Sequence, residues 1–272
     1  MNFYKIARPL LFKLNAERAH HLTLSGLRLA QKLGITSFLR PKSKKNPVKV
    51  MGLNFPNRVG LAAGLDKSGN CIAGFGSIGF GFVEVGTITP HAQDGNPKPR
   101  LFRVREHEAI INRMGFNNPG IERALNNIQK SRKGFDGILG INIGKNKNTP
   151  NERALDDYLH CFRKAHNYAD YIAVNISSPN TSGLRELQTP KFARELLAPL
   201  MNEKERLNED TGKNVPVAVK IDPDMDNDQI KDLSDLFSEL QIDAVIATNT
   251  TVSRKNISDH QLADEAGGLS GS

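Results

Sequence analysis

From Met51 onward, short apolar segments rich in β-branched residues alternate with longer amphipathic segments, and this alternation is the strongest constraint on the fold. The short segments have the composition of parallel strands that are buried on both faces. The alternation predicts an α/β fold, either an open doubly wound sheet or a barrel. The predicted strands are Arg58–Gly64, Phe82–Thr87, Gly137–Gly144, Tyr171–Ser177, Pro216–Ile221 and Ala244–Thr250, and the predicted helices are Ile121–Lys133, Glu152–Asn167, Lys191–Asn208 and Asp228–Leu240.

The charge of the chain is concentrated at its N-terminus. The net charge is +8 over 272 residues, but residues 1–45 alone hold ten Lys or Arg and a single acid, Glu17. The remaining chain is close to neutral, which argues against a nucleic-acid-binding body. The two cysteines, Cys71 and Cys161, lie in no recognisable motif, so neither a disulfide framework nor a metal site is expected.

The first 45 residues predict a pair of helices that precedes the main body. One helix is expected over Phe3–Leu14, with a kink at Pro9, and a second over Glu17–Leu33, followed by a polar linker at Arg40–Pro47. Leucines alternate with basic residues at helical spacing, which is typical of a segment lying in the headgroup region of an anionic membrane. A helical pair packed on the body, with its charges in water, explains the pattern equally well. We therefore divide the chain into residues 1–45 and 46–272.

One glycine motif imitates a dinucleotide fingerprint. Gly74-Phe-Gly76-Ser-Ile-Gly79 matches the spacing G-x-G-x-x-G, but it precedes a predicted strand instead of following one. The fingerprint needs a strand before it and a helix after it, so that phosphate meets the helix N-terminus. We interpret the segment as a loop and exclude NAD binding on this evidence.

Polar residues follow the predicted strands at their carboxyl ends, where barrel enzymes build their active sites. A single asparagine at such a position is ordinarily a turn residue. Repeated amides at consecutive strands instead suit a planar ligand whose edge alternates N–H and C=O groups, such as a flavin or a pyrimidine. The segments concerned are AAGLDK at 62–67, GT at 86–87, NIGKN at 142–146, NISSPNTSG at 175–183, Lys220 and TNT at 248–250.

Five segments together resemble the signatures of class 2 dihydroorotate dehydrogenases. They are LAAGLDK at 61–67, INRMGFNNPG at 111–120, GINIGKNK at 140–147, NISSPNT at 175–181 and ATNTT at 247–251, and the similarity runs from about Tyr4 to Gly271. The resemblance implies a TIM-type (β/α)8 barrel that binds FMN and is preceded by a membrane-associated helical segment. It also implies oxidation of dihydroorotate to orotate in pyrimidine (UMP) synthesis, with electrons passed to a membrane quinone at the cytoplasmic face of the cell membrane.

The resemblance assigns roles residue by residue. Expected FMN contacts are Ala63, Gly64, Leu65, Asp66, Lys67, Thr87, Asn142, Asn175, Lys220, Thr248 and Gly271. Expected substrate contacts are Lys67, Asn112, Arg113, Met114, Gly115, Phe116, Asn175, Asn180, Asn249 and Thr250, with Lys67 near the carboxylate and the loop at 112–116 closing over the substrate. His20 and Arg103 would line the quinone tunnel, although a solvated surface position explains a lone His or Arg as well.

Ser178 is the expected catalytic base. A serine hydroxyl is a weak base, so its proton must pass onward through water or a neighbouring hydroxyl. Lys220 would stabilise negative charge on the reduced flavin. Without the resemblance, a hydroxyl that stabilises the Ser-Pro-Asn turn would be the better interpretation of Ser178. Class 1 enzymes carry a Cys at the base position and lack the N-terminal extension, so Ser178 and the basic helices favour class 2.

The similarity predicts a departure at the C-terminal end. The family continues beyond Gly267–Gly271 through a helix and two further strands, whereas six strands are predicted here and a closed barrel needs eight. The sequence thus predicts a C-terminally incomplete barrel that binds FMN weakly or not at all. The alternatives are a soluble class 1 enzyme, another flavin barrel such as an RNA dihydrouridine synthase, and an inactive remnant. The dihydrouridine synthase would need a basic body and a catalytic Cys in the active-site loops, and the sequence has neither.

Overall fold

Six parallel strands form the centre of the molecule in a computed structural model, which describes residues 3–36 and 46–271. The strands are β3 (Gly60–Leu61), β4 (Phe82–Ile88), β7 (Ile138–Ile143), β8 (Tyr171–Asn175), β9 (Val217–Ile221) and β10 (Ala244–Ala247). Their order across the sheet is β10-β9-β8-β7-β4-β3, and every neighbouring pair is parallel. All six predicted strands are confirmed, with shorter bounds at several ends.

Helices cover one face of this sheet. They are α3 (Ile72–Ser77), α4 (Ile121–Ser131), α5 (Ala154–Ala165), α6 (Pro190–Thr211) and α7 (Asn227–Glu239). In α4 the buried side chains Ile121, Ala124, Leu125 and Ile128 recur at helical spacing, so one stripe packs on the strands. Helix α7 begins with a capping box between Asp226 and Gln229, which satisfies its first backbone N–H groups. All four predicted helices are confirmed.

The alternation of side chains along each strand separates two layers. In β8, Ile172 and Val174 face the helices and join the main apolar core, whereas Tyr171 and Ala173 face the concave side of the curled sheet. The register pairs Asn175 with Lys220, which brings these two polar residues side by side at the carboxyl edge. The arrangement is the TIM-type α/β fold predicted from the sequence, with six of its strands in the described part of the chain.

Two smaller sheets flank the central one. A hairpin of β1 (Val48–Val50) and β2 (Leu53–Phe55) lies near the amino-terminal ends of the parallel strands. An antiparallel sheet of β5 (Leu101–Val104), β6 (Ala109–Asn112) and β11 (Gly268–Ser270) lies beside the carboxyl ends. The pairing of β6 with β11 was not predicted from the sequence.

The glycine motif at 74–79 does not form the loop that we expected. Gly74 and Gly76 lie inside α3, which ends at Ser77, and β4 begins only at Phe82. The loop interpretation is therefore wrong. Gly74 allows close packing instead, since an added Cβ would lie 2.9 Å from the side chain of Leu27 on the N-terminal helices. The order of helix before strand agrees with the exclusion of a dinucleotide fingerprint.

The N-terminal helices are α1 (Phe3–Lys13), which contains Pro9, and α2 (Ala16–Lys32). Asn15 caps α2 by accepting a hydrogen bond from the backbone N–H of Glu17. One side of α2 packs on the body through Leu24 and Leu27, whereas other leucines of this region, Leu10, Leu22, Leu29 and Leu33, are more than half exposed. The packing of Leu24 and Leu27 agrees with a helical pair packed on the body, and association with a membrane stays a prediction.

Within residues 3–36 and 46–271, the structure contains no helix that is both long and apolar enough to span a bilayer. The predicted linker at Arg40–Pro47 lies mostly outside the described residues. The division of the chain at residue 45 stays a prediction.

Candidate functional site

A cavity of about 340 Å³ opens at the carboxyl ends of the parallel strands. Its volume is within the range of small-molecule sites. Most of the site residues expected from the sequence line this cavity. They are Ala63, Gly64, Lys67, Thr87, Asn112, Met114, Gly115, Phe116, Asn175, Ser178, Asn180, Lys220, Thr248, Asn249 and Thr250. The loops after β3 and β10, the ends of β4 and β9, and the strand ends and loops at residues 112–116 and 175–180 deliver these residues to one place.

Several expected residues lie outside the lining of this cavity. The Asp66 carboxylate accepts hydrogen bonds from the backbone N–H groups of Asn70 and Cys71, so its side chain supports a turn. Leu65 and Asp66 line a neighbouring cavity instead. Arg113 is directed to Glu265 and to the backbone oxygen of Ala266. Gly271 lies next to Ser270, which does line the site.

Asn142 lies in a buried hydrogen-bonded network beneath the cavity. Its Nδ2 donates to Glu84 Oε1 at 2.9 Å, and its Oδ1 accepts from Thr87 Oγ1 at 2.6 Å. Thr87 Oγ1 also accepts from Asn175 Nδ2 at 2.8 Å. The Tyr171 hydroxyl donates to the other oxygen of Glu84 at 2.8 Å. The Glu84 carboxylate can only accept, which fixes the amide orientation of Asn142. Thr87 donates its hydroxyl proton to Asn142 and therefore accepts from Asn175, which fixes the amide orientation of Asn175.

Two lysines bring positive charge to the cavity. Lys67 donates to the backbone oxygen of Gly64, and Lys220 is largely buried on β9. Burial, together with the positive charges of Arg100 and Lys220, lowers the pKa of Lys67 to about 8, against the opposing charges of Glu17 and Asp66. An anionic ligand would supply the counter-charge that this site lacks.

Ser178 is buried at the cavity wall in the loop that follows β8. Its Oγ accepts a hydrogen bond from the backbone N–H of Asn180 at 3.3 Å, as the turn interpretation requires. Asn180 Nδ2 in turn donates to the backbone oxygen of Asn112 at 3.0 Å and to its Oδ1 at 3.2 Å. Ser178 therefore supports its turn and also lines the cavity, so the turn interpretation does not exclude a catalytic role.

A second cavity of about 330 Å³ lies between α2 and the sheet. His20, Leu24 and Arg28 line it from the helix, and Lys67 lines both this cavity and the first. Burial, followed by the charge of Lys67, lowers the pKa of His20 to about 4, so its ring is neutral near pH 7. Arg103 is placed elsewhere: its guanidinium contacts the backbone oxygen of Leu14 and stacks on the Phe12 ring.

A third cavity, of about 720 Å³, lies on the concave side toward the amino-terminal ends of the strands and is mostly apolar. Lys220 and Ala62 line it together with the first cavity. It is larger than the other two, but its lining is poor in the strand-end residues on which chemistry would depend. We therefore regard the first cavity as the candidate active site.

The lining of the first cavity suits a planar, polar ligand such as a flavin. Ala62, Ala63 and Gly64 leave one wall without bulky side chains, and Gly64 has a φ of +115°, which favours glycine. A Cβ added at Gly64 would meet only Lys67 Nζ, at 3.8 Å. Asparagine and threonine groups supply both donors and acceptors around this wall.

A sequence model of the dihydroorotate dehydrogenase family matches residues 46–272. The chain belongs to the dihydroorotate dehydrogenase family. A relative from Xanthomonas oryzae pv. oryzae named dihydroorotate dehydrogenase (quinone) is 53% identical over 268 residues, which cover 98% of this chain and 76% of the relative. A relative of the same name from Neisseria meningitidis serogroup B is 54% identical, and the match covers 98% of this chain and 79% of the relative.

Solved structures agree with the dihydroorotate dehydrogenase assignment. The crystal structure of the Eimeria tenella enzyme in complex with ferulenol superimposes with a TM-score of 0.84 at 38% identity, covering 94% of this chain and 72% of that one. The class 2 resemblance predicted from the sequence is confirmed by the relatives' names. This family is generally flavin-dependent.

Sequence reasoning missed several residues that shape the site. Ser270 lines the cavity, and Glu84 and Tyr171 organise its floor. A signal for Glu84 was present, since an acid in the otherwise apolar segment FVEVGT demands a buried partner. Ser270 carried no local signal, because its position depends on the pairing of β11 with β6.

Proposed function

We propose that the chain oxidises dihydroorotate to orotate with bound FMN and passes the electrons to a membrane quinone. The observation that carries this proposal is the convergence of Lys67, Ser178 and four asparagines at one cavity. The names of the relatives support the substrate and the acceptor. The reaction is a step of pyrimidine synthesis, as the resemblance implies.

Ser178 would be the catalytic base that takes the proton from C5 of dihydroorotate. Its position at the cavity wall supports this role, and water or a neighbouring hydroxyl would carry the proton onward. Lys67 would bind the substrate carboxylate. The remaining proposed substrate contacts are Asn112, Arg113, Met114, Gly115, Phe116, Asn175, Asn180, Asn249 and Thr250.

The proposed FMN contacts are the backbone of Ala63, Gly64, Leu65, Asp66 and Lys67, together with Thr87, Asn142, Asn175, Lys220, Thr248 and Gly271. FMN would supply the hydride acceptor for C6 of the substrate. Lys220 would place a positive charge beside it, and the network from Glu84 to Asn175 would hold the amides in the orientation that the ring needs.

Quinone would approach through the second cavity. His20 lines this cavity, and Lys67 connects it with the candidate active site. The exposed leucines of α1 and α2 would contact the cytoplasmic face of the cell membrane peripherally, with the basic residues toward anionic headgroups. Arg103 on β5 would act on this route indirectly, because its guanidinium donates to the backbone oxygen of Leu14 at the end of α1.

The test uses the purified chain in detergent. Its visible spectrum should show bound flavin that bleaches with dihydroorotate and recovers with a short-chain quinone. Ser178→Ala should retain the flavin and lower kcat by a factor on the order of 10²–10⁴. Ser182→Ala, in the exposed part of the same loop, should turn over normally. A colourless protein, or recovery with fumarate but not quinone, would contradict the proposal.

A further inference from the structure

Glu17 on α2 is a buried acid that faces the body of the molecule. Its Oε1 accepts hydrogen bonds from Arg100 Nε at 3.1 Å and from Arg100 Nη2 at 2.7 Å. Arg100 is buried as well, so the two charges are withdrawn from water together. Burial raises the pKa of Glu17, but the hydrogen bonds and charges of Arg100 and Lys98 outweigh that effect and leave it below its ordinary value.

Arg100 uses its remaining nitrogen to close a turn of the backbone. Nη1 donates to the backbone oxygen of Asp94 at 2.6 Å and to that of Asn96 at 2.9 Å. One guanidinium therefore joins α2 to the loop at 94–96. A guanidinium presents its five N–H groups in a fixed fork, so the two ends of this connection are rigidly related.

The loop at 94–96 continues the connection to the candidate active site. Asn96 Nδ2 donates to the backbone oxygens of Arg113 at 3.0 Å and Asn180 at 3.1 Å. The backbone N–H of Asn96 donates to the backbone oxygen of Met114 at 3.1 Å. Both the loop at 112–116 and Asn180 line the cavity.

We infer that Glu17 is a positioning residue of the candidate active site, which acts through Arg100 and Asn96 on the loop at 112–116. The inference rests on the proposed function only for the identity of the ligand. It gives α2 a role beyond contact with a membrane: the docked helix holds the loop that closes the cavity. Movement of α2 away from the body would release this loop.

The physical reason lies in the cost of an unpaired buried charge. Without the Glu17 carboxylate, the Arg100 guanidinium is an unpaired buried charge, and turning toward water lowers its free energy. Turning moves Nη1 away from the oxygens of Asp94 and Asn96, which then lose their donors. The change on the helix therefore reaches the loop.

The first test measures hydrogen exchange of the whole chain without added ligand. Glu17→Gln should speed exchange about tenfold in peptides covering 93–118, with peptides of β7 and β8 unchanged. The matched control is Lys98→Gln, because the Lys98 ammonium lies 3.5 Å from the same carboxylate but is 64% exposed. Lys98→Gln should exchange like the unaltered chain. Faster exchange confined to α2, or spread evenly over the sheet, would overturn the inference.

The second test measures ligand binding and turnover. Glu17→Gln should weaken orotate binding and raise the KM for dihydroorotate about tenfold, while kcat at saturation stays within about threefold. Arg100→Lys keeps the charge but loses the fork, so it should behave like Glu17→Gln. Unchanged KM in both variants would overturn the inference. If the unaltered chain binds no orotate, the proposed function fails, and hydrogen exchange still decides the role of Glu17.

Discussion

Removal of one hydroxyl group tests whether the buried network beneath the cavity stabilises the fold. Tyr171→Phe keeps the ring and deletes only the O–H that donates to Glu84 at 2.8 Å. Tyr171 and Glu84 are both buried, and burial, with the nearby Glu84 charge, raises the pKa of Tyr171 well above its ordinary range. The hydroxyl therefore stays protonated at neutral pH and acts as a donor.

The size of the effect follows from the kind of bond. A hydrogen bond to a charged group contributes about 1.5–3 kcal/mol, and the ring that remains leaves no new cavity. Glu84 also lines the third cavity, through which water can partly replace the lost donor, so we expect a value near the lower end, about 2 kcal/mol. For a chain of this size that corresponds to a fall in Tm of roughly 4 °C.

The assay is thermal unfolding followed by circular dichroism, with Tyr168→Phe as the matched control. The Tyr168 hydroxyl forms no hydrogen bond to any residue that the structure describes. Tyr168→Phe should therefore unfold at the temperature of the unaltered chain. Equal Tm values for the two variants would refute the reasoning, because they would mean that Glu84 does not need the phenol as a partner.

Three further predictions concern charge and helix capping. The kcat/KM for dihydroorotate should fall as pH rises through about 8, because Lys67 then loses the proton that attracts the carboxylate, and a pH profile that is flat from 7 to about 9 would contradict this. Hydrogen bonds from Arg206 and Arg163 hold the pKa of Glu203 at about 2, against 4.5 when unfolded. Its stabilisation should thus be present above 4.5 and lost as pH falls toward 2, and Glu203→Gln should flatten Tm over that interval. Asp226→Ala should lower the free energy of unfolding by about 1 kcal/mol in urea denaturation, because it removes the cap of α7.

The elements of the fold were predictable because their signals are local. Apolar segments such as Phe82–Thr87 and amphipathic ones such as Ile121–Lys133 carry their own periodicity, and the structure confirms both. The loop interpretation of Gly74–Gly79 was wrong because the local signal in that segment was misleading. Glycine is a poor helix former by itself, and only the packing of α3 against Leu27 makes it suitable there.

The candidate site was predictable only where chemistry is concentrated at strand ends. Asn175 and Lys220 lie at the carboxyl ends of β8 and β9, and Asn249 lies two residues beyond β10, so their convergence follows from the parallel arrangement. Arg113 follows Asn112, which lines the cavity, but the Arg113 side chain binds Glu265 instead. Nothing near Arg113 in the sequence specifies that partner. A pattern within one segment does not predict the contacts that this segment makes with residues far away in the sequence.

The charges at the junction of the helices and the sheet explain why these two parts of the molecule act on one site. Lys67 and Arg100 lie close enough for the positive charge of Arg100 to lower the pKa of Lys67, while Glu17 acts in the opposite direction. Glu17 lies on α2, whereas Lys67 and Arg100 lie on the body. If α2 moves away, Arg100 loses the carboxylate that holds its guanidinium against the loop at 94–96. Dihydroorotate binding at neutral pH should weaken in the same step that releases the loop at 112–116. The basic N-terminal segment thus affects the candidate active site chiefly through its single acid.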